Sequence, residues 1–442
     1  MTTRMSDLKL KDIEPDSQIS IYDRMCHSDA ELCALLAQGD ARRELTAIFG
    51  AADYTLLTAL ARAAQNARLR HAEPVYILPG IMGTQLGALR AAGAPADLLW
   101  LDPQDVIGGA LTRLRLPATA GLVSLGAIPF SYLALQLRLR AGGFNVVMHD
   151  YDWRQSLEEL ATAFAARLRA DAAPGILIVA HSMGGLIARH AMQDPALVRV
   201  RRLITLGTPH RGSFGAVQAI RGTYPVVRRL AALDRHHDAD FLAAQVFSTF
   251  PSIHQLLPAP GLDPSIDLLV MDNWPTTGPR PDPDLLAAAR AFVATLTEPD
   301  ARCIAISGTH QRTVVGLRLA AGEFHYRVGD AGDGTVPLAS AQLAHGDNYY
   351  VRCEHSALPR SAAVGHALVE LLRHGRTTRL AATPGRPLGR EVMVSDSELR
   401  TTWNDKLDWA QLGPVAHRDY LNRLNQSPPQ YSARRTRGGR DA

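Results

Sequence analysis

Residues Ile176 to Ile187 read Ile-Leu-Ile-Val-Ala-His-Ser-Met-Gly-Gly-Leu-Ile, and no other stretch constrains the fold as strongly. A branched apolar run stops at Ser182 between small residues, and apolar helical spacing follows at Leu186, Ile187 and Ala191. The pattern predicts strand, sharp turn, helix. Such a turn strains the backbone of its central residue and requires nearly bare positions two before and two after it, here Ala180 and Gly184. It lifts the serine hydroxyl clear of the sheet and sets it at a helix N-terminus, where N–H groups and the helix dipole favour developing negative charge. Ser182 is therefore a candidate nucleophile. Small-x-Ser-x-Gly alone is a weak pattern in a chain rich in Ala and Gly, and an ordinary βα turn competes with it. The flanking strand and helix favour the nucleophile.

Around this centre, strand-type runs at Pro74–Leu78, Phe144–Met148, Arg201–Leu206, Cys303–Ser307 and Asn348–Val351 alternate with helical patterns. The helices are expected near Tyr132–Arg140, from Arg154 to about Arg169, and from about Ser361 to Leu372, with a strand pair around Thr313–Val328. Strands alternating with helices predict an α/β fold with a mostly parallel, doubly wound sheet. The alternation breaks at about 213–300, an insertion long enough to be a cap or lid. Its Arg221, Arg228 and Arg229, among apolar residues, are expected to rest on an anionic membrane surface while the cap shields the site. The 442 residues thus divide into a helical N-terminal extension (1–73), an α/β domain with its cap (74–375) and a polar, basic C-terminal extension (376–442).

In the first extension, residues 1–20 read as polar and poorly ordered. Ser28-Asp-Ala-Glu31 reads as a capping box before Leu32, Leu35 and Leu36, with Gly39 ending that helix. Further helices are expected near Ala41–Phe49 and Tyr54–Arg70. Short amphipathic helices need a surface to be stable, so packing on the main domain is favoured over docking a protein partner. The tail after His374, ending in the Arg434–Arg440 run, reads as solvated, with contact to an anionic surface as the alternative.

A net charge of +4 over this length, almost wholly from arginine, implies no nucleic-acid partner. Cys26, Cys33, Cys303 and Cys353 have no metal spacing, and Cys26 and Cys33 lie too far apart along a helix to bridge, which suits a reducing compartment. The first residues lack an apolar signal core and no run is long enough to span a membrane, so the chain reads as soluble and cytoplasmic unless another route exports it. No cofactor motif is present. His236-His237 beside Asp238 and Asp240 reads as solvated rather than as a metal site.

A serine nucleophile needs a base, and the base a carboxylate, in this fold in the order Ser, Asp, His. The glycine-rich loop from Gly329 to Pro337 supplies Asp333, between Gly332 and Gly334, with Asp330 as fallback. His355 follows the last strand and precedes the last helix. His345, before that strand, and His366, inside the helix, are poorer candidates. Two backbone N–H groups should face the developing oxyanion: Met183, next to the nucleophile, and Ile81, in the Pro79-Gly80-Ile81-Met82-Gly83 loop after the first strand. An ordinary turn would leave that clustering of Pro and two Gly without a reason.

Six motifs occur in order: Pro79 to Leu86, Tyr151-Asp-Trp-Arg154, Ala180 to Gly185, Gly207-Thr-Pro-His-Arg-Gly212, Phe250 to Pro258, and Gly332 to Pro337. Together they resemble the lecithin:cholesterol acyltransferase-like branch of the α/β-hydrolases, over roughly residues 74 to 375. The resemblance implies the α/β-hydrolase fold and a bacterial relative of phospholipase A2-type or acyltransferase-type serine lipases. It also implies a lipid acyl-ester substrate and Ser182, Asp333 and His355 as catalytic residues, with Ile81 and Met183 at the oxyanion hole. The disulfides and signal peptide of secreted members have no counterpart, and the two extensions match nothing in the family. The alternative is a catalytically weak hydrolase scaffold that binds proteins through its extensions.

Overall fold

The computed structural model describes residues 28–71, 73–90, 96–118, 121–387 and 389–432. In chain order its strands are β1 Pro74–Leu78, β2 Thr84–Ala88, β3 Asp97–Trp100, β4 Val123–Ala127, β5 Asn145–Met148 and β6 Ile176–His181, then β7 Val200–Leu206, β8 Cys303–Gly308, β9 Thr313–Ala320, β10 Glu323–Gly329, β11 Asp347–Val351 and β12 Val392–Ser395. Six of them form one sheet in the order β11-β8-β7-β6-β1-β5, parallel at every junction. Alternate side chains serve opposite faces. Val75, Ile77, Leu177 and Val179 pack with Leu135, Leu139 and Leu368 on one side, while Tyr76, Leu78, Ile176 and Ile178 pack with Phe164 and Leu186 on the other. Helices Pro129–Ala141 and Ala362–His374 cover the first face, and Leu157–Ala170 and Met183–Ala191 the second. With both faces covered, β1, β6 and β8 are buried along their whole length, which explains their continuous apolar runs. This is an α/β-hydrolase-like fold.

The chain runs from β1 outward to β5, then returns across β1 to β6 and builds the sheet the other way. Such a reversal opens a crevice at the C-terminal ends of the strands on either side of it. Ser182 directly follows β6 and the Pro79–Gly83 turn directly follows β1, so topology alone brings nucleophile and glycine loop to one crevice.

Strands β2, β3 and β4 make a separate antiparallel sheet between β1 and the helix Pro129–Ala141, which the sequence reading left unassigned. They are short and carry register shifts, and Gly87 lies so close to Asp97 that a β-carbon there would meet its carbonyl oxygen at 2.2 Å. Bulges and glycine erase the alternation that announces a strand.

The N-terminal capping box forms, with Ser28 N–H donating to the Glu31 carboxylate at 2.9 Å, and Gly39 ends the helix at φ 84°. The third helix spans Ala51–Asn66 rather than 54–70, because Gly50 at φ 85° lets the chain turn into it earlier. Leu36, Leu45, Phe49 and Leu57 pack on Leu133 and Leu137, so the apolar faces that a protein partner would use are spent on the main body.

Residues 213–300 hold helices Phe214–Ile220, Pro225–Leu233, Ala239–Gln245, Pro251–Gln255 and Pro283–Thr295. The described part of the C-terminal extension corrects the expectation of a solvated tail. β12 joins the β9–β10 hairpin, and the chain then crosses the cap. Arg221 Nε donates to Asp396 Oδ2 at 2.9 Å, Arg228 donates to the carbonyls of Thr402 and Arg400, and the Arg229 guanidinium lies 3.9 Å from the ring centre of Trp403. Lys406 Nζ donates to the carbonyls of Ala231, Asp234 and His237. The cap arginines expected to face an anionic surface are therefore only 2%, 6% and 8% exposed at 221, 228 and 229. Buried guanidinium groups need partners: Arg221 and Arg228 find acceptors, and Arg229 the Trp403 ring, in chain some 170 residues further on, beyond the reach of local pattern. Cys26, residues 1–20 and the Arg434–Arg440 run lie outside the described residues; Cys33, Cys303 and Cys353 are free thiols. Among the described residues no helix is long and apolar enough to cross a membrane.

Candidate active site

Ser182 sits at φ 53°, ψ −126°, a positive-φ conformation that a side-chain-bearing residue rarely adopts. The strain is held by close packing on all sides. A β-carbon at Gly184 would meet the Pro79 carbonyl oxygen at 2.4 Å, and one at Gly185 the Thr208 hydroxyl at 2.0 Å. One at Gly80 would meet the Ser182 β-carbon at 2.8 Å, so the glycines of both turns exist to let the two loops touch.

Ser182 Oγ lies 2.9 Å from His355 Nε2, and His355 Nδ1 lies 2.7 Å from Asp333 Oδ2. The three side chains come from loops after β6, β11 and β10, and are 6%, 7% and 1% exposed. Asp333 is held at both ends. Its Oδ1 accepts the N–H groups of Thr335 at 3.1 Å and Val336 at 2.7 Å, while its carbonyl accepts the His355 N–H at 2.8 Å. Gly207, at φ 56°, leaves room for the pair: a β-carbon there would stand 2.8 Å from Asp333 Oδ2 and 3.1 Å from His355 Nδ1. Carboxylate, imidazole and hydroxyl are thus in line for proton transfer from serine to histidine.

Asp330 is elsewhere: its Oδ2 accepts the Gly389 N–H at 2.7 Å in a polar hollow with His310, Arg312 and Arg352. His345 and His366 are exposed on the surface. His237 Nδ1 lies 2.9 Å from Asp234 Oδ2, and among the described residues no three His, Cys, Asp or Glu side chains converge as a metal site would need. Met183 opens the helix after Ser182, where the first N–H groups have no acceptor within the helix. Ile81, in the turn after β1, lines a cavity together with Ser182 and His355.

Two residues of this region went unnoticed in the sequence. Tyr132, visible there only as part of a helical pattern, accepts the Gly80 N–H at 2.8 Å on its hydroxyl and pairs at 2.8 Å with His181 Nδ1. His181 Nε2 in turn lies 3.1 Å from the His355 carbonyl oxygen, which accepts its N–H. With Nε2 donating to a carbonyl, Nδ1 is the acceptor and Tyr132 the donor, so the ring is neutral. Burial, with the neighbouring His355 charge, pushes the His181 pKa well below the usual histidine range, and burial raises that of Tyr132. One chain of hydrogen bonds therefore ties the glycine loop to the loop carrying His355. From the other side Tyr151 donates from its hydroxyl to the Pro79 carbonyl at 2.5 Å, and Trp153 Nε1 to the Thr84 carbonyl at 3.1 Å. His254, in the Phe250–Pro258 motif, is structural: its ring spans the Phe250 carbonyl at 3.1 Å and the Asp282 N–H at 3.2 Å.

Above Ser182 lies a cavity of about 190 Å³ whose walls are mainly apolar, including Trp100, Phe130, Val226, Ile253 and Leu256. Leu421, Leu424 and Asn425 of the C-terminal extension complete it.

A family model described as a PGAP1-like alpha/beta domain matches residues 164–242, from the helix before β6 through Ser182 and β7 into the cap. No curated protein matches the chain's sequence. Among solved structures it is similar to a chain of the Tle4-Tli4 complex, at 16% identity over 67% of this chain and 97% of that one, with a TM-score of 0.40. It is also similar to the Bacillus licheniformis lipase BlEst2 in its mature form, at 14% identity over 70% and 94%, with a TM-score of 0.35. Against the propeptide form of that lipase the identity is 16%, the TM-score 0.34, and the match covers 68% of this chain but 52% of the other, about half its length. The family match reaches the α/β-hydrolase level, which is coarser than the acyltransferase-like branch suggested by the ordered motifs.

Proposed function

We propose that this protein is a serine-dependent carboxylic ester hydrolase acting on lipid acyl esters, a lipase or phospholipase of the lecithin:cholesterol acyltransferase-like branch. The observation that carries the reading is the unbroken line from Asp333 through His355 to Ser182, with links of 2.7 and 2.9 Å, at the base of an apolar cavity. His355 Nε2 takes the Ser182 proton as Oγ attacks the ester carbonyl, and Asp333 stabilises the imidazolium without taking a proton. The Met183 and Ile81 N–H groups hold the oxyanion. Collapse of the tetrahedral intermediate passes the proton from Nε2 to the leaving alcohol and leaves an acyl group on Ser182. Water then resolves it; a second alcohol in place of water makes the same site an acyltransferase. A pure binding scaffold would not require Ser182 to bear a strained φ of 53° beside a hydrogen-bonded histidine.

A fluorophosphonate, whose tetrahedral phosphorus imitates the intermediate, should label the protein once, at Ser182. Labelling and p-nitrophenyl ester hydrolysis should both fall by about a thousandfold or more in Ser182→Ala and His355→Ala. Folded wild-type protein that takes up no probe, with or without detergent, would leave the interaction scaffold as the better account.

A further inference from the structure

Beside the cavity above Ser182 lies a second one of about 280 Å³. The two share five wall residues, Leu101, Ile128, Phe130, Leu421 and Asn422, so they abut along a common partition. Away from that partition the second cavity is lined by Leu32, Ala47, Ile48 and Phe49 of the N-terminal helices, and by His417 and Arg418 on the same C-terminal helix as Leu421. The lining is largely apolar. The ring of His417 is committed elsewhere, with Nε2 donating to the Trp409 carbonyl at 2.8 Å and the ring stacked on Trp409 at 4.0 Å.

We propose that the acyl chain of an ester seated at Ser182 passes Phe130 and Leu421 and ends in this second cavity, which makes long-chain acyl esters the substrates of the site. The inference rests on the hydrolase reading and adds to it the acyl length and the segments that set it. Four of the fourteen lining residues are polar, Gln85, His417, Arg418 and Asn422; the other ten are apolar, and against them each methylene transferred from water gains by burial alone. The distal walls come from the two extensions, 28–73 and 376–432, which lie outside the region of family resemblance. Chain-length selectivity is then a property of this protein's own termini rather than of its α/β core.

The test is a series of single-chain p-nitrophenyl esters from butyrate to hexadecanoate, presented below their aggregation points. One chain per molecule excludes occupancy by a neighbouring chain of the same lipid. In the wild type kcat/KM should climb by about fourfold per methylene, the ~0.8 kcal/mol of a buried methylene, and keep climbing past the length that fills the first cavity. Ile48→Trp, which fills the far end, should lower the ratio of dodecanoate to butyrate kcat/KM at least tenfold. Ala47→Trp adds bulk at the same wall from an exposed position that holds up no core, and should act in the same direction. Thermal unfolding of both variants verifies their fold. A ratio unchanged in both folded variants, or a wild-type profile that peaks at butyrate, overturns the proposal and leaves the hydrolase reading standing. No hydrolysis of any ester by folded wild type overturns both.

Discussion

Asp333→Asn tests the roles assigned to the three polar side chains, because the surroundings of this carboxylate determine what an isosteric amide would do. Oδ1 accepts two backbone N–H groups, from Thr335 and Val336, while Oδ2 faces His355 Nδ1 at 2.7 Å. An asparagine has one acceptor oxygen for these two demands. If the oxygen stays with the backbone pair, the NH2 group faces His355 and forces Nδ1 to accept. The ring proton then moves to Nε2, which can no longer take one from Ser182. If the amide flips, its NH2 opposes two buried N–H donors, which costs about 1–3 kcal/mol per unsatisfied group and loosens the loop that holds His355. The first arrangement is therefore favoured, and kcat should fall about ten-thousandfold, or ~5.5 kcal/mol of transition-state stabilisation. The assay is p-nitrophenyl butyrate hydrolysis by wild type and variant, with thermal unfolding as control. Asp330→Asn, in the polar hollow with His310, Arg312 and Arg352 and away from Ser182 and His355, should stay within about threefold of wild type. A folded Asp333→Asn protein within tenfold of wild type would refute the assignment of the orienting carboxylate.

Two further outcomes follow from burial. His181, His149 and His210 are buried with pKa values pushed down by desolvation, the last two to about 4 and about 3. The unfolded chain takes these protons near pH 6.5 and the folded one does not, so their contribution is complete above that pH and is lost below it, at up to ~1.4 kcal/mol per pH unit for each histidine. Urea unfolding at pH 7.5, 6 and 5 should show falling stability; a flat or rising profile below pH 6.5 would contradict the buried neutral state. Arg221→Ala would leave Asp396 buried with, among the described residues, only the Tyr326 hydroxyl as a side-chain partner, at 2.7 Å, and should cost about 3–5 kcal/mol. Limited proteolysis should then cut the released C-terminal extension before the core, and uniform resistance would show that the fastening of the cap lies elsewhere.

What the sequence alone determined depends on neighbours within a dozen residues. The continuous apolar runs of β1, β6 and β8 mark strands buried on both faces, the Ser28 capping box and Gly39 bound a helix, and the bare positions around Ser182 mark a sharp turn. Chain order within that fold then singled out Asp333 and His355, the two side chains that the structure links by hydrogen bonds to Ser182. Periodicity carries such information because backbone geometry repeats along the chain.

Tertiary structure decided what joins distant segments. Tyr132 reads as one more helical residue until His181 and Gly80, 49 and 52 positions away, arrive at its hydroxyl. The cap arginines read as a surface for anions, and the chain around residues 396–406 makes them an interior seam by supplying acceptors to Arg221 and Arg228 and the Trp403 ring to Arg229. The second cavity exists because Ile48 and Leu421, from opposite ends of the chain, face the same space against Phe130. An isolated arginine, tyrosine or leucine carries no local mark of its partner, since burial and hydrogen bonding are settled only when distant chain closes over it.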